Sequence, residues 1–278
     1  MKKTIRKVFL LALVCILSLL CAVEPPVCEA SLASGLRAYG RGRFAQSFKQ
    51  FAPLAMRGNV RAEYFVGYMF LNGQGVARNY EEAFRWLSLA AAGGNSKAMF
   101  HLGFMYYTGV GAVCDYAMAE RLFSRAARRG EAIAQFTLGQ MRYEGKNGPR
   151  DYAAAASHFR KAAAGGIAAA MNNLGVMYLH GWGVAKSPED AAKWFTAAAR
   201  RGSAESQYKL GLMYAKGCGV GRNYVLASMW LRLAAAGGEK NAAASWGIIS
   251  GKMSPGEVLL AKKLVEKWRK SSAPLSKN

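Results

Sequence analysis

The side chains best able to do covalent or metal chemistry in this 278-residue chain are three histidines, five cysteines and sixteen carboxylates. A zinc-type site needs histidine, cysteine or acid ligands at short, matched spacings. His101, His158 and His180 stand isolated from one another, and each reads as a surface or packing histidine. Nucleophilic catalysis needs a serine–histidine–acid or cysteine–histidine set within hydrogen-bond reach, and no such set recurs at a usable spacing. No carboxylate pair lies in an apolar stretch, where two acids would be driven to different pKa values. The expectation is therefore no catalytic residue, no metal, no cofactor and no enzyme. What remains is noncovalent recognition by aromatic and basic side chains.

Charge bounds the partner. The formal net charge is +22, and hydrophobic residues make up 52% of the chain, which excludes general disorder. Such an excess suits acidic partners, among them anionic lipid, envelope polyanions, nucleic acid or an acidic protein face. A soluble protein that merely happens to be basic is the other reading. The basic residues are uneven along the chain. Both ends are strongly basic, whereas residues 59–94 carry as many acids as bases. Near the C-terminus Lys262, Lys263, Lys267, Arg269 and Lys270 share one predicted helix. That helix is a candidate contact for acidic lipid or polymer, or else a solvated face.

Residues 1–30 read as a secretory signal. Lys2, Lys3, Arg6 and Lys7 precede the 16-residue apolar run Val8–Val23, and Cys28-Glu29-Ala30 supplies small residues at −3 and −1. Cleavage after Ala30 gives a periplasmic or secreted protein. An uncleaved inner-membrane anchor is the alternative, although the run is short of the roughly 20 residues that span a bilayer. Leu20 is too bulky for lipidation at Cys21. Cleavage also removes Cys15, Cys21 and Cys28 and leaves Cys114 and Cys218, which fall in repeats three apart. At that separation they lie beyond the ~7 Å Cα limit of a disulfide and are expected to be free thiols.

The positions of all these side chains are set by an internal repeat. Gly67, Gly103, Gly139, Gly175, Gly211 and Gly247 are spaced by 36 residues. So are Met69, Met105, Met141, Met177 and Met213, and likewise Ala83, Ala119, Ala155, Ala191 and Ala227. Gly94, Gly130, Gly166, Gly202 and Gly238 close the repeats. Five full repeats run 59–94, 95–130, 131–166, 167–202 and 203–238.

Each repeat reads as helix, loop, helix. In the fourth, Ala170, Leu174, Gly175, Met177 and Tyr178 share one face of a helix spanning about Ala168 to Leu179. Glycine inside a helix costs about 1 kcal/mol, so Gly175 implies close approach of a neighbouring helix. Gly181 fits a left-handed C-cap and Gly183 the loop beyond it. Asn79, Asp115, Asp151, Ser187 and Asn223 recur where the second helix must start, and all are good N-caps. Arg128-Arg129 and Arg200-Arg201 fall at helix C-termini, which favour cations; nucleic acid is accordingly not an expected partner. Residues 31–58 form an N-terminal cap in which Tyr39–Gly58 matches the second half of a repeat. Residues 239–278 hold a degraded first helix, Ala242–Ser250, and a capping-box helix opened by Ser254-Pro255-Gly256-Glu257.

The pattern A-x-x-x-L-G-x-M-Y-x-x-G-x-G-V-x-x-(N/D)-Y-x-x-A-x-x-W, at Ala170–Trp194 and again at Ser206–Trp230, resembles the Sel1-like repeat, a relative of the tetratricopeptide repeat with a longer inter-helix loop. The resemblance is strong over 59–238 and weak in the caps. In the third repeat Lys146-Asn147-Gly148-Pro149 replaces the usual loop, which is expected to be reshaped there. The fold class implied is all-α: an α/α solenoid, or superhelix, of about five full 36-residue Sel1-like helix-loop-helix repeats with N- and C-terminal capping helices. The resemblance also implies a protein-interaction scaffold, often of the bacterial envelope, with the first helices lining the concave surface. Cysteine-rich relatives described as β-lactamases carry a cysteine pair in every repeat. This chain does not, so that activity is not carried over.

Positions that vary between repeats are then the candidates for recognition. Counted from the aligned glycine, offsets −6, −2, +1 and +5 share the face opposite the packed one. Offset −2 holds Phe65, His101, Thr137, Asn173 and Lys209; offset +1 holds Tyr68, Phe104, Gln140, Val176 and Leu212. These ten residues are the expected binding strip for an unknown envelope protein or peptide, aromatic toward the N-terminus and more basic toward the C-terminus. Packing of some +1 residues on the next repeat is the competing reading. A monomer is expected.

Overall fold

The computed structural model describes residues 30–272; residues 1–29 of the expected signal segment, with Cys15, Cys21 and Cys28, and residues 273–278 lie outside the described residues. Among the described residues there are fourteen helices and no strand. In chain order they are α1 (Leu32–Gly40), α2 (Phe44–Met56), α3 (Val60–Asn72), α4 (Tyr80–Ala92), α5 (Ser96–Thr108), α6 (Tyr116–Arg128), α7 (Ala132–Glu144), α8 (Tyr152–Ala164), α9 (Ala168–His180), α10 (Pro188–Arg200), α11 (Ala204–Lys216), α12 (Tyr224–Ala236), α13 (Ala242–Ser250) and α14 (Pro255–Ser272). They gather into two compact units, one ending at Leu89 and the other beginning at Ala90. None of the described helices is long and apolar enough to cross a membrane.

Local chemistry places the ends of the first helices and the starts of the second. α9 ends at Gly181, whose φ of 79° is left-handed and whose N–H donates to the Met177 carbonyl at 2.8 Å. At α10, Ser187 Oγ accepts the Asp190 N–H at 3.1 Å, with Pro188 in the first turn. Asn79, Asp115, Asp151 and Asn223 accept first-turn N–H groups in the same way. Each such cap stabilises its helix by about 1 kcal/mol.

The recurrent glycine is a helix–helix contact. A Cβ placed at Gly175 would lie 2.6 Å from the Phe195 ring, and one at Gly139 2.7 Å from Phe159. Gly103 faces Phe123, Gly67 faces Leu87 and Gly211 faces Leu231 in the same manner. Phe123, Phe159, Phe195, Leu87 and Leu231 are all fully buried, so the missing side chain on one helix is what admits the large one on the next. Gly247 departs from this pattern: a Cβ there would meet nothing within 4 Å. The degraded first helix α13 keeps the glycine but not its contact.

Two features add detail to the sequence expectation. The N-terminal cap is a whole helix pair, because Gly35 on α1 meets the buried Phe51 ring as Gly175 meets Phe195. The α1–α2 loop is four residues shorter than the α3–α4 loop, which puts Gly35 out of the 36-residue register. In the third repeat the loop keeps its two left-handed positions and is reshaped just beyond them, where Gly148 has φ 142° in the place of Val76, Ala112, Val184 and Val220. Gly145 caps α7 with φ 78°, and Asn147, with φ 61°, occupies the place of the second glycine. Asparagine tolerates that conformation, and Asn147 Nδ2 donates to Glu120 Oε2 at 2.8 Å.

The second arginine of each pair has a structural contact. Arg129 Nη1 donates to the Gly94 carbonyl at 2.8 Å, satisfying a helix-end carbonyl one repeat earlier. Arg201 lies against Gly166 in the equivalent place. At the C-terminus, Ser254 and Glu257 make both arms of the capping box. α14 then packs on α12 through Val265 and through Trp268, whose ring centre is 5.0 Å from that of Trp230.

Candidate functional site

On each first helix, offsets −6 and +5 are exposed: Arg61 and Asn72 on α3, Lys97 and Thr108 on α5, Ile133 and Glu144 on α7, Ala169 and His180 on α9, Glu205 and Lys216 on α11. The two middle offsets, where the binding strip was expected, are more enclosed.

On the −2 row, Phe65 and Lys209 each pack against the preceding helix pair. Phe65 stacks on Phe51 with ring centres 4.7 Å apart and planes 14° from parallel, and it meets Tyr39 at 5.1 Å. Its ring belongs to the core of the first unit. Thr137 is buried, and its hydroxyl donates to the Ile133 carbonyl in its own helix. Lys209 Nζ donates to Asn172 Oδ1 at 3.3 Å, pairs with Glu205, and lies 5.6 Å from the centre of the Phe195 ring. Those three positions are occupied by internal contacts. At Phe65 and Lys209 the side chain leans toward the preceding helix pair, a direction that periodicity within one helix does not reveal. Asn173 is half-buried.

His101, also on this row, is held neutral. Burial and the nearby Lys97 ammonium push its pKa down to about 4. The unfolded chain therefore binds a proton near the ordinary histidine value of 6.5 while the folded chain does not. The stability present above pH 6.5 is lost as pH falls from about 6.5 to about 4, by roughly 3 kcal/mol in all. Denaturant titrations of the protein at pH 7 and pH 4.5 should show this loss, and His101→Asn should reduce the difference. An unchanged difference would assign it to other groups, such as His158, whose pKa burial also lowers.

The +1 row is more open. Phe104 is 46% exposed, the largest exposed aromatic on any first helix. Tyr68 and Gln140 are half-buried, and the Tyr68 ring lies 5.8 Å from that of Tyr64. Val176 and Leu212 pack against neighbouring clusters. The structure thus leaves Phe104, Gln140 and Asn173 accessible between the exposed helix ends in the second unit. It also adds Trp182, which spacing within the helices could not identify because it lies in a loop. The Trp182 ring, 36% exposed, stacks on His180 at 4.7 Å and on Tyr152 at 5.9 Å. The variable loop position seven after the aligned glycine was the available signal.

On α14, Lys262, Lys263, Lys267, Arg269 and Lys270 are all exposed. Among the described residues no group of three or more histidine, cysteine or acidic side chains could hold a metal ion. Cys114 and Cys218 are free, with Cys114 exposed.

These geometries match one family over most of the chain. The family model described as Sel1 repeat matches residues 60–95, 96–131, 132–167, 168–203 and 204–239. The chain belongs to the Sel1 repeat family. A Sel1 repeat protein from Oxalobacter formigenes is similar in structure, with a TM-score of 0.75 and 28% identity over 87% of this chain and 98% of that one. A protective antigen of uropathogenic Escherichia coli with an SLR fold is 27% identical over 87% of this chain and 68% of that one, with a TM-score of 0.42. A comparison with curated proteins gave no match. Sel1 repeat solenoids are typically protein-interaction scaffolds, and the family is generally non-catalytic.

Proposed function

We propose that this Sel1 repeat protein is a scaffold of the bacterial cell envelope that holds a protein or peptide partner against the exposed line of its first helices. The observation that carries the reading is Phe104. A large aromatic ring left open on a helix whose other large side chains are packed is the kind of group that anchors interfaces. The His180–Trp182 stack supplies a second apolar surface on the same unit, and Lys97, Gln140 and Lys216 add polar positions on other first helices and on that of Phe104. The envelope location rests on the layout of residues 1–30.

A second reading, contact of α14 with an envelope polyanion such as peptidoglycan, lipopolysaccharide or anionic phospholipid, is favoured by its five exposed basic side chains. Salt separates the two, because screening weakens exposed charge contacts once the Debye length falls below about 10 Å. Protein isolated from the periplasm, with its N-terminus near Ser31, should retain its partner from envelope extract at low and high salt alike. Phe104→Ala combined with Trp182→Ala should abolish that retention without changing the melting temperature. Retention lost in high salt, and lost when Lys262, Lys263 and Lys267 become glutamine, would favour the polyanion. Full-length protein recovered from the cytosol would remove the envelope location.

A further inference from the structure

The first unit holds a cavity of ≈ 510 Å³ on another face of α3, lined by Phe48 of α2, Glu63 and Phe70 of α3, and Glu82 and Trp86 of α4. Glu63 stands out by both sequence and structure. At its position, four before the aligned glycine, the other repeats carry Met99, Gln135, Met171 and Gln207. Where the polar residue is glutamine it is partnered: Gln207 Nε2 donates to the Ala199 carbonyl at 3.1 Å, and Gln135 Oε1 bonds His158 Nδ1 at 2.8 Å. A carboxylate has no N–H to donate to the equivalent carbonyl. Glu63 is only 7% exposed, and its side chain makes no hydrogen bond or ion pair among the described residues. Burial holds its carboxyl above the usual carboxylate range. The second acid, Glu82, already accepts the Trp86 Nε1–H at 3.0 Å and pairs with Arg85 at 3.7 Å. Glu63 is the uncompensated charge.

We propose that this cavity receives a lysine side chain from a peptide partner, its ammonium pairing with Glu63 and its four-carbon stem lying against Phe48, Phe70 and Trp86. A buried carboxylate beside aromatic faces is complementary to a cation on an apolar stem. A compact ammonium suits a single carboxylate facing the cavity better than the planar fork of arginine, which seeks two acceptors. The occupant is a peptide rather than a free amine because Met56 and Leu89, 75% and 46% exposed, also line the cavity. They offer apolar contact to the residues flanking the lysine. This site is separate from the first-helix line and stands or falls independently of it.

The test is calorimetric titration of the purified protein with a capped Ala-Leu-Lys-Leu-Ala peptide, with the same peptide acetylated on its lysine, and with n-butylammonium. The lysine peptide should bind at least about tenfold more tightly than either of the others. Glu63→Gln should remove that preference, and it should fold, since glutamine stands at this position in the third and fifth repeats. Trp86→Leu should weaken the lysine peptide by several-fold. Three outcomes would overturn the proposal: no binding of the lysine peptide, equal binding of its acetylated form, or a preference that survives Glu63→Gln. Butylammonium binding as tightly as the peptide would overturn the peptide as occupant.

Discussion

Alanine at Gly219 is expected to destabilise the second unit by roughly 2–4 kcal/mol, against roughly 1 kcal/mol for alanine at Gly217. Both glycines are left-handed, with φ of 65° and 71°, so both substitutions carry the conformational penalty. They differ in what surrounds them. A Cβ at Gly217 would meet the Arg222 side chain at 3.2 Å, which can shift. A Cβ at Gly219 would lie 2.1 Å from the Pro188 carbonyl oxygen, at the start of α10 in the preceding repeat. Backbone there is fixed by a helix and its N-cap. Gly183 over Tyr152 and Gly75 over Phe44 repeat the arrangement, with backbone approaches of 2.2 and 2.4 Å. At Gly75, Gly183 and Gly219 one helix pair therefore rests on the previous one. Guanidinium unfolding followed by circular dichroism would rank the two variants, and hydrogen exchange should show α10 and α11 loosened first in Gly219→Ala. Equal losses for the two variants would mean that the loop moves aside.

Phe195→Ala should cost about 3–5 kcal/mol, as large-to-small changes of buried aromatics do. The ring is fully buried in the cluster that includes Leu210, Met213 and Trp230, and Gly175 opposite it has no side chain to fill the space. Gly175→Ala alone should cost about 1–3 kcal/mol through overpacking. In the double variant the new methyl occupies part of the space left by the ring, so the combined loss should be smaller than the sum of the two. Unfolding free energies of the two single variants and the double variant close this cycle. Strict additivity would show that Gly175 and Phe195 are not in contact.

The sequence by itself determined the elements and their order. The 36-residue recurrence of glycine, methionine and alanine, the N-caps at Asn79, Asp115, Asp151, Ser187 and Asn223, and the capping box at Ser254–Glu257 are local signals. Helix starts and stops obey local hydrogen bonding, so those signals survive into the structure unchanged. The short loop after Gly40 takes Gly35 out of the 36-residue register, so its equivalence to Gly175 shows only in its contact with Phe51. Tertiary structure decided which side of each helix is free. Phe65, Thr137 and Lys209 occupy the same variable face as Phe104, yet they are taken up by Phe51, by an intrahelical carbonyl, and by Asn172 with Phe195. Glu63, on a face that reads as core, opens instead into a cavity. Periodicity reports the direction of a side chain about its own helix axis. Whether that direction meets solvent, a neighbouring repeat or an empty pocket depends on the helix packed beside it, and that helix is supplied by residues far away in the chain.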